Sequence, residues 1–297
     1  MIGLCAVLRQ RACSVIFCLV LAACANQGIA EFELYRSAFE RTYGTSTAIL
    51  DQLAVQEREL FMRTRGRINP ANLRFDPNLA RYYTDTVDPP GTAAFRRALE
   101  TVKTYNDVLY GLASGQTAEA LVGKLGELNA KIGDAAGEAS SLVGVGGAEV
   151  AGATAALDRL FVQIAPFLRV ALTARSREEF REFVVRHYPI INAILLELRQ
   201  GTRAIFPILT AATLRRVRDA PSGGLTADEI RKLETYRKLL ADWVILIDAT
   251  IKSLDNVRAA AGADPTIVGT ITGLGAIAVQ LETASQGARR HLAELSK

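Results

Sequence analysis

The chain has 297 residues, of which 49% are hydrophobic and 22% are charged, and its formal net charge is +4. This length supports one or two domains with a sizeable core, and the composition excludes a disordered chain. All four cysteines fall within the first 24 residues. The rest of the chain therefore has no disulfide framework, no cysteine-ligated zinc site and no cysteine nucleophile.

The first 24 residues have the pattern of an export signal. Arg9 and Arg11 supply a positive region, and residues 12–23 are uncharged. That stretch has the length of the apolar part of a signal peptide and is short for a transmembrane helix. It ends in Leu21-Ala22-Ala23-Cys24, which resembles the lipobox of bacterial lipoproteins. A plain secretory signal cut after Ala25 and a retained anchor are the two alternatives.

The resemblance to bacterial lipoproteins implies that residues 1–23 are removed. It also implies a diacylglyceryl thioether on the Cys24 sulfur and an acyl amide such as palmitate on the new N-terminus. Residues 24–29 would then form a lipidated tether to the membrane. Ala25 stands where an aspartate would be the usual signal for inner-membrane retention. By this analogy, we expect an outer-membrane location facing the periplasm.

From residue 30 onward, apolar residues recur every three or four positions, as in Phe32, Tyr35, Phe39 and Tyr43. No segment alternates like a strand bounded by hairpin turns. We therefore expect an all-α fold, a single domain over residues 30–297. Short links favour an antiparallel multi-helix bundle. About seven helices are predicted, at 30–65, 92–114, 117–142, 148–173, 176–218, 226–261 and 265–295.

Local signals mark where these helices begin and bend. Thr226 with Glu229, like Ser176 with Glu179, matches the capping box, and Thr92 is a plausible N-cap. Three prolines lie inside helical patterns and each removes an amide donor, so several helices should be kinked. The 176–218 segment is expected as two or three rods rather than one. These prolines are Pro166, Pro189 and Pro207.

An irregular loop is predicted near residues 66–91, where four prolines and three asparagines interrupt the helical pattern. Links of this length are often binding loops or lids. The aromatic residues Phe75, Tyr82 and Tyr83 either anchor this loop to the bundle or contact a ligand, and anchoring is favoured.

No motif of catalysis or of metal, cofactor or nucleic-acid binding is supported. His187 and His291 are the two histidines, and both are predicted to be surface or cap residues. No His-Glu-x-x-His or Glu-x-x-His motif supports a zinc or di-iron site. The arginines at 215, 216 and 218 fit the last turn of a helix, where cations oppose the negative dipole end. We therefore predict no catalytic, cofactor or metal residues and no nucleic-acid partner.

Two segments of small residues stand out, at 140–156 and 265–281. Close helix packing is the favoured interpretation, with a partner-binding groove and membrane insertion as alternatives. The run from Trp243 to Ile247 is apolar all round the helix, which predicts the most buried rung of the bundle. Asp248 follows it and must either point to solvent or find a partner, for which arginine is the best candidate.

These observations favour a membrane-tethered, non-enzymatic helical bundle that binds another envelope protein. The first alternative is an envelope enzyme or small-molecule binder with a cleft between helices. The second is a membrane-active helical protein. The sequence leaves the oligomeric state open.

Overall fold

The structure is a computed structural model, and it describes five stretches of the chain. Every regular element in these stretches is helical, which confirms the all-α prediction for this part of the chain. The predicted helix at 148–173, Pro166 and the segment at 140–156 lie outside it, as does the predicted helix at 117–142 apart from positions 123 and 126. The described residues are 29–65, 75–114, 177–219, 224–262 and 274–296, with the single positions 116, 123 and 126.

Five α-helices and one short 3₁₀ helix make up the described part. The starts and ends of α1 to α4 agree with the predicted helices to within two residues, and α5 covers the described part of the last one. In chain order they are α1 (Ile29–Arg65), the 3₁₀ helix (Pro77–Tyr82), α2 (Pro90–Ala113), α3 (Arg177–Asp219), α4 (Ala227–Gly262) and α5 (Leu274–Leu295).

The start of α4 is the predicted capping box. The Thr226 amide donates to the Glu229 carboxylate at 2.9 Å, and the Glu229 amide donates to the Thr226 hydroxyl at 3.3 Å. Glu229 also pairs with Arg216, in the last turn of α3. The same side chain therefore caps one helix and joins it to the preceding one.

Contacts between side chains give the direction of each helix relative to α1. Helices α2 and α4 run opposite to α1, because their contacting positions fall as those of α1 rise. Helix α5 runs the same way as α1, and α4 runs opposite to α3. The pairs are Arg36–Asp107, Asp51–Arg96, Thr42–Thr250, Ser46–Trp243, Arg41–Glu282, Thr45–Ser285, Tyr188–Asp255 and Arg199–Asp248.

These directions divide the helix termini into two groups. The Ile29 end holds the start of α1, the end of α2, the start of α3, the end of α4 and the start of α5. The far end holds the end of α1, the start of α2, the end of α3 and the start of α4. The ring centroids of Phe32 and Phe180 lie 5.3 Å apart at the Ile29 end, and Arg216 pairs with Glu229 at the far end.

Trp243 lies in the middle of the core, as predicted. Its side chain is fully buried, and its indole Nε1 donates to the Ser46 hydroxyl at 2.7 Å. The helix around it is not buried on all sides, because Ile245 is 36% exposed. The apolar run from Trp243 to Ile247 is thus a core rung with one face in solvent.

The segment predicted as two or three rods is a single 43-residue helix, α3, with Pro189 and Pro207 inside it. A proline removes one amide donor, and a helix packed along its length can absorb that loss without ending. Gly201 lies between the two prolines. A Cβ there would be 2.3 Å from Cε1 of buried Phe95, so the glycine allows α2 and α3 to approach closely.

Candidate functional site

The predicted site residue Cys24 lies outside the described residues, as do residues 25–28. The nearest described residue is Ile29, which begins α1. The candidate site that the structure does describe is at the far end. There the segment 75–89 lies between α1 and α2, in the region predicted as an irregular loop.

This segment has more regular structure than the irregular loop that was predicted, because it contains a capped 3₁₀ helix. Asp76 caps the 3₁₀ helix by accepting from the Asn78 amide at 3.0 Å. Arg58 of α1 donates to the Val87 carbonyl oxygen at 2.6 Å, and Arg81 donates to the Asp88 carbonyl oxygen at 2.9 Å. The segment is therefore held by hydrogen bonds to α1 and within itself, and only the part at 66–74 lies outside the description.

The three aromatic side chains of the segment stack outward from Phe61 of α1. The Tyr82 ring is parallel to the Phe61 ring with centroids 4.0 Å apart, and Tyr82 is buried. The Tyr83 ring meets Phe61 edge-on at 5.7 Å, and the Phe75 ring lies 5.7 Å from Tyr83. Phe75 is 72% exposed at the outer end of this stack. Tyr82 therefore anchors the segment, as predicted, and Phe75 presents an aromatic surface to solvent.

Beneath this stack, Glu57 of α1 places a buried carboxylate at the start of α2. Its Oε1 accepts from the Gly91 amide at 3.0 Å, and its Oε2 accepts from the Thr92 amide and hydroxyl, both at 2.8 Å. The side chain is 1% exposed. A carboxylate at this position satisfies amide donors that a helix leaves unpaired and opposes its positive dipole end.

Thr92 was predicted as the N-cap of α2, and this is wrong. The N-cap is Pro89, which has no side-chain cap, and Thr92 is the third helical residue, fully buried. Because proline brings no capping side chain, the acceptor comes from α1 instead. Gly91 leaves room for it, since a Cβ there would lie 3.0 Å from both Glu57 oxygens.

Burial raises the pKa of the Glu57 carboxyl above its ordinary value. The hydrogen bonds from Thr92 and Gly91 oppose this rise, and the negative charge of Asp88 adds to it. Burial also raises the pKa of the Tyr82 hydroxyl, and the neighbouring Glu57 raises it further.

A second layer of charge surrounds this cap. Arg96 of α2 donates to Asp88 at 2.5 Å and to Asp51 of α1 at 2.8 Å. One guanidinium thus joins two helices and the segment between them. The oxygens of Glu57 are engaged by backbone and hydroxyl donors, so the arrangement suits fixing the segment rather than acid–base chemistry.

Both histidines were predicted at the surface or in caps, and this is wrong, because each is only 8% exposed. The Nδ1 of His187 lies 3.0 Å from the Phe183 carbonyl oxygen, and burial lowers the pKa of His187. The Nδ1 of His291 lies 3.0 Å from Asp242, which joins α5 to α4. The two residues lie on different helices and serve separate contacts.

Asp248 pairs with Arg199 at 2.6 Å, which confirms the prediction of an arginine partner. Among the described residues, no cluster of three or more histidine, aspartate or glutamate side chains is arranged to bind a metal ion. None of the described helices carries an apolar stretch that would reach across a bilayer.

The chain was compared with known proteins in three ways. No protein-family model, no curated protein and no solved structure matches it.

Proposed function

We propose that the protein is a bacterial lipoprotein of the cell envelope, exported by residues 1–23 and lipidated at Cys24. The lipobox-like run that ends at Cys24 supports this proposal. The lipids would hold the chain to the outer membrane on its periplasmic side. Several acyl chains hold a protein on a bilayer far more firmly than one.

The observation that carries the proposal is the place where α1 begins. Ile29 is only five residues after Cys24, so the tether at 24–29 leads directly into a 37-residue helix of the bundle. At 1.5 Å per residue, such a helix is about 55 Å long. The Ile29 end would therefore stay near the bilayer, and the far end would reach into the periplasm.

We further propose a binding or structural role for this body, with an envelope protein as its partner. The whole domain would be an antiparallel bundle of about seven helices, some bent at proline, in keeping with the opposed directions of the described helices. The engagement of Glu57 and His291 in contacts between helices supports a role without catalysis. At the far end, exposed Phe75 offers a partner an aromatic contact.

The test replaces the cysteine that would be lipidated and keeps a matched one. Cys24→Ser should move the protein out of the detergent-soluble membrane fraction, whereas Cys18→Ser, in the same signal segment, should leave fractionation unchanged. Wild-type protein should also crosslink in cells to an envelope protein, and Cys24→Ser should lose that product. Identical fractionation of the two variants would refute the lipid anchor, and the absence of any crosslinked envelope protein would refute the binding role.

A further inference from the structure

The Ile29 end carries an apolar surface formed by α1 and α5. Leu34 is 46% exposed and lines a cleft together with exposed Ala278 of α5, and the next residue of α5, Val279, is 67% exposed. Ile277 and Leu281 are buried beneath them and form part of this shallow cleft of about 130 Å³. Exposed apolar side chains that lie near one another are a candidate contact surface.

Charge is absent from this part of α5. The eight residues from Leu274 to Leu281 contain no charged side chain, and the first one that follows, Glu282, pairs with Arg41 of α1 at 2.7 Å. The apolar surface is thus bounded by an ion pair on the side away from the Ile29 end. An apolar surface with a charged margin fits the boundary between lipid chains and headgroups.

Two connections between described helices begin and end at the Ile29 end. The stretches at 115–176 and 263–273 each leave and rejoin the described helices at the Ile29 end. The uncharged run at 265–281 continues from the second of them into the start of α5.

The distance to the anchor is short as well. Five residues separate Cys24 from Ile29, which an extended chain spans in at most about 17 Å. Leu34 lies a further five helical residues along α1, or about 8 Å. A lipid at Cys24 therefore keeps Leu34 and Val279 within reach of the bilayer surface.

From this placement we propose that the Ile29 end is a lipid-contacting surface, with Leu34, Ala278 and Val279 resting on the bilayer beside the anchor. This deepens the proposed function and rests on it. The lipid tether supplies the attachment, and the apolar surface fixes which end of the bundle faces the membrane. Glu31 and Glu33 in the first turns of α1 make a zwitterionic surface a better fit than an anionic one.

The test uses the absence of cysteine after residue 24, which lets one introduced thiol be labelled in the lipidated protein. Val279→Cys reports on the Ile29 end, and Val87→Cys, also an exposed valine, reports on the far end. Each variant is labelled with an environment-sensitive fluorophore and reconstituted in phosphatidylcholine–phosphatidylethanolamine vesicles that contain nitroxide-labelled lipid. Quenching at position 279 should be at least threefold stronger than at position 87.

Equal quenching at the two positions, or none at either, would overturn the lipid-contacting surface. Fluorescence at position 279 that is shielded without quenching, together with crosslinking between labelled chains, would assign the surface to a second copy and also overturn it. Failure of the proposed anchor is detected separately, because an unlipidated Cys24 would take up the label in both variants. In that case the double variant Cys24→Ser/Val279→Cys is labelled and mixed with the same vesicles. Quenching of the fluorophore at position 279 would support the lipid-contacting surface, and no quenching would refute it.

Discussion

The middle of the bundle and its far end are held together in different ways. In the middle, Trp243 fills the space between α4 and α1, and the same apolar core extends to Phe95 of α2, which fits against Gly201 of α3. At the far end, Glu57 joins α1 to α2 through buried hydrogen bonds, and Arg96 joins them through an ion pair. The middle is stabilised by the volume of buried apolar side chains. The far end is stabilised by the hydrogen bonds and ion pairs of a few polar and charged side chains. The middle should therefore respond to changes in size, and the far end to changes in pH.

The largest effect is expected from Trp243→Ala, which would leave a cavity in the middle of the core. We expect a loss of about 3–5 kcal/mol in the free energy of unfolding, measured by urea denaturation. Trp243→Phe is the matched variant, since it keeps most of the ring volume and removes the bond to Ser46. A loss for Trp243→Ala no larger than that for Trp243→Phe would show that volume does not decide the middle.

Gly201→Ala tests the same region by adding volume. Its Cβ would meet the buried Phe95 ring, and overpacking of this kind costs about 1–3 kcal/mol. Gly44→Ala is the control, because a Cβ at Gly44 of α1 has open space around it. The control should stabilise the protein by up to about 1 kcal/mol, as alanine does in a helix. Equal thermal midpoints for the two variants would contradict the close approach of α2 and α3.

Glu57→Ala tests the far end by leaving the buried amides of Gly91 and Thr92 without an acceptor. A loss of about 1–3 kcal/mol is expected at neutral pH. Glu57→Gln keeps an acceptor oxygen and should lose less. Hydrogen exchange at the two amides is a direct measure, and it should accelerate most in Glu57→Ala.

The pH dependence of the far end has a definite sign. Because burial raises the pKa of Glu57, the folded protein holds this proton more tightly than the unfolded chain, whose value is near 4.5. Stability from this group is fully present below the unfolded pKa and is lost as the pH rises through the folded pKa. The stability of the wild type relative to Glu57→Gln should therefore fall as the pH rises above the unfolded pKa. A relative stability that rises instead would refute the raised pKa.

The smallest effect is expected at the ion pair of Arg199 and Asp248, whose side chains are both more than 40% exposed. A double-mutant cycle with both residues changed to alanine should give a coupling of about 0.2–1 kcal/mol that weakens in high salt. A coupling free energy above that range would show that an exposed ion pair stabilises the bundle as much as the buried contacts at the far end do. It would contradict the difference drawn between the two regions.

Most helix boundaries could be predicted from the sequence, because apolar spacing and caps are local signals. The prediction of 30–65 for the first helix differs from α1 by one residue at its start. The capping box at Thr226 and Glu229 was equally readable. An arginine partner for Asp248 could be predicted from a carboxylate that follows an apolar run, although the pair with Arg199 is more than 40% exposed.

The contacts between distant residues could not be predicted in this way. Glu57 lies 34 residues from the Gly91 amide that it accepts from, so no local pattern marks it as a cap. His291 lies 49 residues from Asp242, and its burial depends on how α5 packs against α4. The break expected in α3 failed for a related reason, because proline acts on one hydrogen bond while packing acts on the whole helix.

The most direct test of the proposed tether is the mass of the N-terminal peptide of the protein isolated from membranes. The account predicts a mature chain that starts at Cys24 and carries a diacylglyceryl group and an amide-linked acyl chain. A chain that starts at Asn26, or one that retains Met1, with an unmodified Cys24 where that residue is kept, would contradict it.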